Sequence, residues 1–271
     1  MIRTDKNTMT DTNQETIEIQ ARQYQADKNA LKGRFIAVTG AGAGIGRCAA
    51  KTFAAHGATV ILLGRTTQKL EQVYDEIEAA GHPKAAIFPI NFEGAVDKDY
   101  NDMCNAIDQE FGRLDGLLHN ASELGERTPI TNYSSDTWQR IMQVNVNAPF
   151  MMSKALMPLL LRSENASIIF TGSNVGLKGR AFWGAYAASK AASDNLMQTL
   201  AEELEEATTA RCNSINPGPT RTQMRAMAYP AENPAQVVIP ENIMPTYLYL
   251  MSAVSVGTNG LQLNAQSYAQ S

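Results

Sequence analysis

The stretch that most constrains this 271-residue chain runs from Arg34 to His56. Arg34-Phe35-Ile36-Ala37-Val38-Thr39 is a short apolar run of β character. Gly40-Ala41-Gly42-Ala43-Gly44-Ile45-Gly46 breaks it at once, and residues 47–56 read as a helix. Glycines at 40, 44 and 46 let the backbone turn tightly and approach a pyrophosphate. A helix beginning near Ile45 aims its free N–H groups and the positive end of its dipole at the same spot.

The strand–helix cycle recurs along the chain. Strands are expected over 58–63, 85–90, 114–119, 167–171, 211–216 and 260–264, and helices over 68–80, 97–111, 136–161 and 186–206. Alternation with short connections predicts an α/β fold, because each crossover must be right-handed and pack back onto the sheet. The expected form is a single doubly wound Rossmann domain, with a parallel sheet of about seven strands and helices on both faces. Residues 1–23 are polar and lack a sustained apolar face, so they are expected to form a mobile extension before a domain spanning 24–271.

Composition narrows the partners. A net charge of −4 and a pI near 5.5 argue against nucleic acid and anionic membranes, which both favour a basic face. No run of 18 apolar residues occurs, and the N-terminus lacks an apolar signal segment, so a cytoplasmic protein is expected. Cys48, Cys104 and Cys212 are odd in number and widely separated, as expected of reduced thiols. No Cys/His grouping has metal-ligand spacing, and no metal is expected.

In such a sheet, ligands bind beyond the carboxyl ends of the strands where strand order reverses. Roughly 20 residues past the glycine loop, NAD-selective sites place an acid for the ribose 2′-hydroxyl; this chain has Gly64-Arg65-Thr66. A guanidinium cannot accept that hydrogen bond, but it can bind a 2′-phosphate through two parallel charge-assisted bonds, and Thr66 adds a hydroxyl. NADP(H) is therefore favoured over NAD(H). The plain rival is a solvated arginine at a helix start. Thr171-Gly172-Ser173-Asn174-Val175-Gly176 resembles a second glycine loop, but Lys178 stands where its last glycine belongs.

The chemistry centres on Tyr186 and Lys190, one helical turn apart. An opposite charge nearby lowers a phenol's pKa from its usual value of about 10, toward the range of acid–base work near neutrality. Tyr24 and Lys28 share the spacing without a glycine loop before them or a serine at the right distance. Ser173 ends an apolar strand and Tyr186 opens a helix, so two hydroxyls can converge over one sheet edge.

These segments together resemble the short-chain dehydrogenase/reductase superfamily in its compact single-domain branch, over about residue 33 to the C-terminus. Thr39 through Gly46, with Gly40, Ala43, Gly44, Ile45 and Gly46 as cofactor contacts, looks like that branch's Thr-Gly-x-x-x-Gly-x-Gly loop. His119-Asn120-Ala121-Ser122 looks like its Asn-Asn-Ala-Gly segment, and Pro217-Gly218-Pro219-Thr220-Arg221-Thr222 like its Pro-Gly-x-x-x-Thr cofactor loop. The resemblance implies catalytic roles for Asn145, Ser173, Tyr186 and Lys190. Ser173 and Tyr186 would hold the carbonyl oxygen, and Tyr186 would donate the proton. Lys190 would tune Tyr186 and bond the nicotinamide ribose, and Asn145, at a helix disturbed by Pro149, would hold a relay water.

It further implies cofactor contacts from Asn120, Ala121, Ser122, Pro217, Gly218, Thr220 and Thr222. His119 and Ser122 depart from the family segment, and Asn91-Phe92 stands where an Asp often lies beside the adenine; Asn91 can still accept from the adenine amino group. His119 is read as a hydrogen-bonded structural residue. The finer pattern, with Phe182-Trp183-Gly184 before Tyr186 and a Tyr-Leu-Tyr-Leu-Met run at 247–251, is similar to a bacterial subgroup of oxidoreductases without an assigned substrate.

The expected activity is hydride transfer between NADP(H) and a small carbonyl or alcohol, in a homodimer or homotetramer. The alternative is a catalytically silent NADP(H) sensor or structural partner. A sensor needs the glycine loop and Arg65, but not Asn145, Ser173, Tyr186 and Lys190. Residues 223–230 read as a short helix before a Pro-rich loop, which can close over the site as a lid.

Overall fold

The computed structural model describes residues 6–205 and 208–267, with side chains from residue 13 onward. Its sheet has seven parallel strands in the order β3-β2-β1-β4-β5-β6-β7. They are β1 (Phe35–Thr39), β2 (Thr59–Gly64), β3 (Ala86–Pro89), β4 (Gly116–His119), β5 (Ser167–Thr171), β6 (Arg211–Asn216) and β7 (Gln262–Asn264). The helices are α1 (Lys6–Arg22), α2 (Gly44–Ala55), α3 (Thr67–Ala79), α4 (Asp97–Phe111), α5 (Ser135–Met142), α6 (Ala148–Leu160), α7 (Asn174–Leu177), α8 (Gly184–Glu205), α9 (Gln223–Ala228) and α10 (Met244–Met251).

β1, β2 and β5 are largely apolar on both sides because helices cover both faces. Ile36 and Val38 of β1, with Val60 and Leu62 of β2, enter the core shared with α2, α3 and α10. Ala37, Ile61 and Leu63, one residue out of phase, enter the opposite core with α4, α6 and α8. The chain runs outward from β1 to β3 and then returns to β4 on the other side of β1. That reversal places the crevice at the carboxyl ends of β1 and β4, where the glycine loop lies.

Two expectations need correction. The helical stretch expected over 136–161 is two helices joined by a π-type turn at Gln143–Asn147. Pro149 has no N–H to give to the residue four positions earlier, which is Asn145. The freed Asn145 carbonyl instead accepts from Ser193 Oγ at 2.8 Å.

The extension expected to be mobile contains α1, which docks on the C-terminal part of the domain. Ala21 is fully buried, and Glu18 Oε1 accepts from the Asn264 backbone N–H at 3.0 Å and from its Nδ2 at 2.9 Å. Gln14 Nε2 donates to the Gln262 carbonyl at 2.7 Å, and Tyr24 packs edge-on against Tyr249. Those bonds satisfy a strand that would otherwise present an open edge. The first five residues of the extension, the expected helix end at 206, and the tail at 268–271 lie outside the described residues.

Candidate active site

The glycine loop folds as a cradle. Gly40 has φ of +66°, and a β-carbon there would sit 3.1 Å from Ala121 Cα. At Gly46 a β-carbon would lie 2.4 Å from the Gly40 carbonyl oxygen and 2.5 Å from Asn120 Nδ2. Any side chain at 46 would therefore push the start of α2 off the strand. Ala43 precedes α2 without a side-chain cap, which leaves the first N–H groups of that helix available to an anion.

Thr39 joins this cradle to β4. Its Oγ1 donates to the Leu118 carbonyl at 3.2 Å and accepts from the backbone N–H groups of Asn120 and Ala121 at 2.8 and 2.9 Å. Asn120 Nδ2 donates to the Thr39 carbonyl at 3.2 Å. The Pro217–Thr222 loop closes the other side, with Thr222 Cγ2 3.3 Å from where a Gly44 β-carbon would stand. Gln266 Nε2 holds the carbonyls of Pro217 and Pro219, each at 2.8 Å. Thr220 bonds within the loop, and Thr222 caps α9 by accepting from the Arg225 N–H at 3.1 Å. These residues form a continuous wall at the sheet's carboxyl edge and fit a dinucleotide phosphate.

Arg65 and Thr66 follow β2. The Arg65 side chain is 63% exposed and pairs at 3.2 Å with Glu123, whose other carboxylate oxygen accepts from Arg140 at 2.9 Å. Asn91 Oδ1 accepts from the Glu93 N–H at 3.3 Å on an exposed turn. Phe92 belongs instead to the core, 7% exposed, so only its main chain can face a ligand. The Ser122 hydroxyl is buried without a partner among the described residues.

Of the four catalytic candidates, Ser173, Tyr186 and Lys190 lie together, and Asn145 is joined to them through Ser189. Asn145 is buried in the π-type turn, and its amide is fully engaged: Oδ1 accepts from the Glu123 N–H at 2.8 Å, while Nδ2 donates to the Glu123 carbonyl and to Ser189 Oγ, both at 2.9 Å. The side chain is thus an anchor that fixes the Glu123 backbone against α8. Ser173 follows β5 and interacts with the Tyr186 hydroxyl, an interaction that favours the phenolate. Lys190 Nζ donates to the Thr171 carbonyl at 2.8 Å and lies 5.5 Å from the centre of the Tyr186 ring.

The expected lowering of the Tyr186 pKa by Lys190 is not what governs this site. Burial pushes the phenol up to about 12, Ser173 draws it back, and Asp194 raises it. Burial likewise brings the Lys190 ammonium down to about 8, opposed by Asp194. Burial disfavours the charged form of both groups, yet at about 8 the Lys190 ammonium stays mostly protonated at neutral pH while Tyr186 stays neutral.

Asp194 was not singled out in the sequence, although its place at i+4 from Lys190 and i+8 from Tyr186 puts all three on one face of α8. It is buried, its own pKa raised by that burial against the pull of Lys190, Ser214 and Gln262, and its Oδ1 has no hydrogen-bond partner among the described residues. A small polar cavity of about 90 Å³ beside it is lined by Gln14, Ser173, Ser214, Asn216, Gln262 and Asn264 among others.

On the substrate side, Trp183 packs 5.8 Å from Tyr186 and 5.9 Å from Tyr229, ring centre to ring centre, beside Leu124, Val175 and Met224. The preceding Phe182 has φ of +71°, a strained left-handed conformation that turns Trp183 inward while Phe182 itself stays exposed. Met227 is also exposed and outside this cluster. His119 ends β4 as a buried structural residue, with Nε2 2.9 Å from Ser153 Oγ and its ring tilted against that of Phe170. Burial alone holds its pKa down at about 3. Among the described residues, no cluster of His, Cys, Asp and Glu has metal-site geometry, and no helix is long and apolar enough to cross a membrane.

The family model for short chain dehydrogenases matches residues 34–233, which span the cradle and all four catalytic candidates. The chain belongs to the short-chain dehydrogenase family. It is 46% identical to an uncharacterized oxidoreductase, YciK, of Escherichia coli K12, over 90% of this chain and 96% of that one. A short chain dehydrogenase structure from Pseudomonas syringae is 56% identical, with a TM-score of 0.89 over 90% of this chain and 99% of that one. Another, from Escherichia coli CFT073 and complexed with NADPH, is 46% identical, with a TM-score of 0.87 over 89% of this chain and all of that one. This dehydrogenase therefore shares both its seven-stranded sheet and its family with solved proteins.

Proposed function

We propose that this dehydrogenase transfers hydride between NADP(H) and a carbonyl or secondary alcohol, with Tyr186 as the acid–base group. The observation that carries the reading is the convergence of Ser173, Tyr186 and Lys190 beside the glycine cradle at one sheet edge. The NADPH complex of the relative from Escherichia coli CFT073 supports the choice of cofactor, as does Arg65 at the end of β2.

NADPH supplies the hydride when bound. Gly40, Ala43, Gly44, Ile45 and Gly46 would hold its pyrophosphate at the α2 N-terminus. Arg65 and Thr66 would take the 2′-phosphate, and Asn91 the adenine. The backbone at Phe92, Asn120, Ala121 and Ser122, with the Pro217, Gly218, Thr220 and Thr222 loop, would line the remaining length.

Ser173 and Tyr186 orient the carbonyl oxygen by donating to it, and Tyr186 then gives up its proton as negative charge develops there. Burial keeps Tyr186 protonated across neutral pH, which suits a general acid. Lys190, held by Thr171, stands behind the ring to stabilise the phenolate as it forms. Asn145 holds the Glu123 backbone, and through Ser189 the start of α8, in place around that group.

Residues 24–271 act in this reading as one catalytic domain, expected in the cytoplasm. Self-association is assigned to α5, α6 and α8, where Phe150 is half exposed. A panel of aldehydes and ketones, followed by NADPH consumption, tests the activity. Tight NADPH binding with no consumption across the panel would favour the sensor instead.

A further inference from the structure

Three loops from the carboxyl edge of the sheet meet around one guanidinium. Arg127 comes from the loop after β4, Trp183 from the loop before α8, and Tyr229 from the segment after α9. The Arg127 guanidinium carbon lies 4.9 Å from the centre of the Trp183 ring and 5.0 Å from that of Tyr229. One N–H donates to the Ala228 carbonyl.

A guanidinium carries five N–H donors, and Ala228 takes one bond, so donors remain for a planar anion. The neighbouring Arg225, Arg65 and Arg140 each have a carboxylate partner. Arg225, which also lies over Tyr229, makes a two-pronged bond to Glu232 at 2.7 and 2.6 Å. Arg65 and Arg140 share Glu123. Among the described residues no carboxylate pairs with Arg127. A cation fixed by three loops and left without a counter-ion, in a chain of net charge −4, calls for an anion from outside.

The ring under Arg127 is the ring beside the reacting phenol, since Trp183 is buried and 5.8 Å from Tyr186. The wall between them is apolar, made of Leu124, Val175 and Met224. A substituted benzene ring suits such an apolar surface.

We propose that Arg127 reads a carboxylate on the substrate, and that the substrate class is a carbonyl compound carrying a carboxylate on an apolar body. This rests on the hydride-transfer reading above. The same residue would hold the carboxylate of the alcohol product when the reaction runs in reverse.

The test uses a charged and a neutral compound on the same ring, 4-formylbenzoate and its methyl ester, with NADPH. The wild-type protein should favour the acid by about tenfold or more in kcat/KM, expressed in KM, as a charge-assisted bond at a partly exposed site allows. Arg127→Gln should bring that ratio close to one, and Arg127→Lys should recover part of it. An equal loss for acid and ester would mark Arg127 as structural and overturn the assignment, as would a wild-type ratio near one.

Calorimetric binding of both compounds to the NADP⁺-loaded Tyr186→Phe protein separates this claim from catalysis. Acid-selective binding that Arg127→Gln abolishes would support the carboxylate site even if no turnover occurred anywhere. Binding that is equal for the pair, or indifferent to Arg127, would overturn it.

Discussion

Replacing Arg65 by Asp tests cofactor choice through a single side chain. In the free protein Arg65 is mostly exposed and shares Glu123 with Arg140. A charge-assisted bond to a 2′-phosphate contributes about 1.5–3 kcal/mol, or about 10- to 150-fold in affinity. An aspartate at the same place repels the phosphate, and each pair of unit charges about 4 Å apart costs a further ~1 kcal/mol in water. NADPH should therefore weaken by about 100-fold or more. NADH, whose 2′-hydroxyl can donate to the new carboxylate, should hold or improve.

Titration of both reduced cofactors by nicotinamide fluorescence reads the ratio directly. Equal weakening of the two, or none, would refute the role given to Arg65. The Glu123 pair adds a finer expectation. An exposed ion pair contributes at most about 1 kcal/mol, so Glu123→Gln should tighten NADPH by no more than about fivefold.

Other expectations follow from buried charges and from α1. His119 is held near pKa 3 by burial, so the folded form resists protonation, and its contribution to stability, fully present above pH 6.5, is lost as pH falls toward 3. At pH 5 the loss from this residue is about 2 kcal/mol, and the decline in stability between pH 7 and 5, followed by urea unfolding, should be shallower in His119→Asn by about that amount. Asp194 raises the pKa of both Tyr186 and Lys190; in Asp194→Asn the alkaline limb of carbonyl reduction, where Tyr186 loses its proton, should move to lower pH. An unmoved limb would separate Asp194 from the proton-transfer group. Glu18→Ala removes two of the bonds that tie α1 to Asn264, leaving that of Arg22, and should cost about 1–3 kcal/mol in urea unfolding, whereas a freely moving extension would give no change.

The sheet was legible because β1 to β5 are short, largely apolar runs separated by helical periodicity, and the helix at Asp97–Phe111 has the bounds expected of it. The cradle was legible from its glycines, two of which the backbone or close packing requires. What escaped has a shared cause, since it depends on partners far away in the chain. The α1 helix has little apolar periodicity of its own and is held by Gln262 and Asn264, more than 240 residues on. The Tyr186–Lys190 pair was visible as a spacing, but its pKa values are set by burial under the loops around it and by Asp194. Helical spacing from Lys190 would have pointed to Asp194. Arg127 had no local signal, since Trp183 and Tyr229 reach it from separate loops.

The central claim is that the Tyr186 hydroxyl moves the proton during hydride transfer. Removing that oxygen with Tyr186→Phe leaves the aromatic packing against Trp183 in place, so the decisive measurement is single-turnover carbonyl reduction beside NADPH titration on the same variant. The account predicts that reduction slows by about 10²–10⁴-fold while NADPH affinity stays close to that of the wild type. Reduction at a rate near wild type, with NADPH still bound, would contradict it.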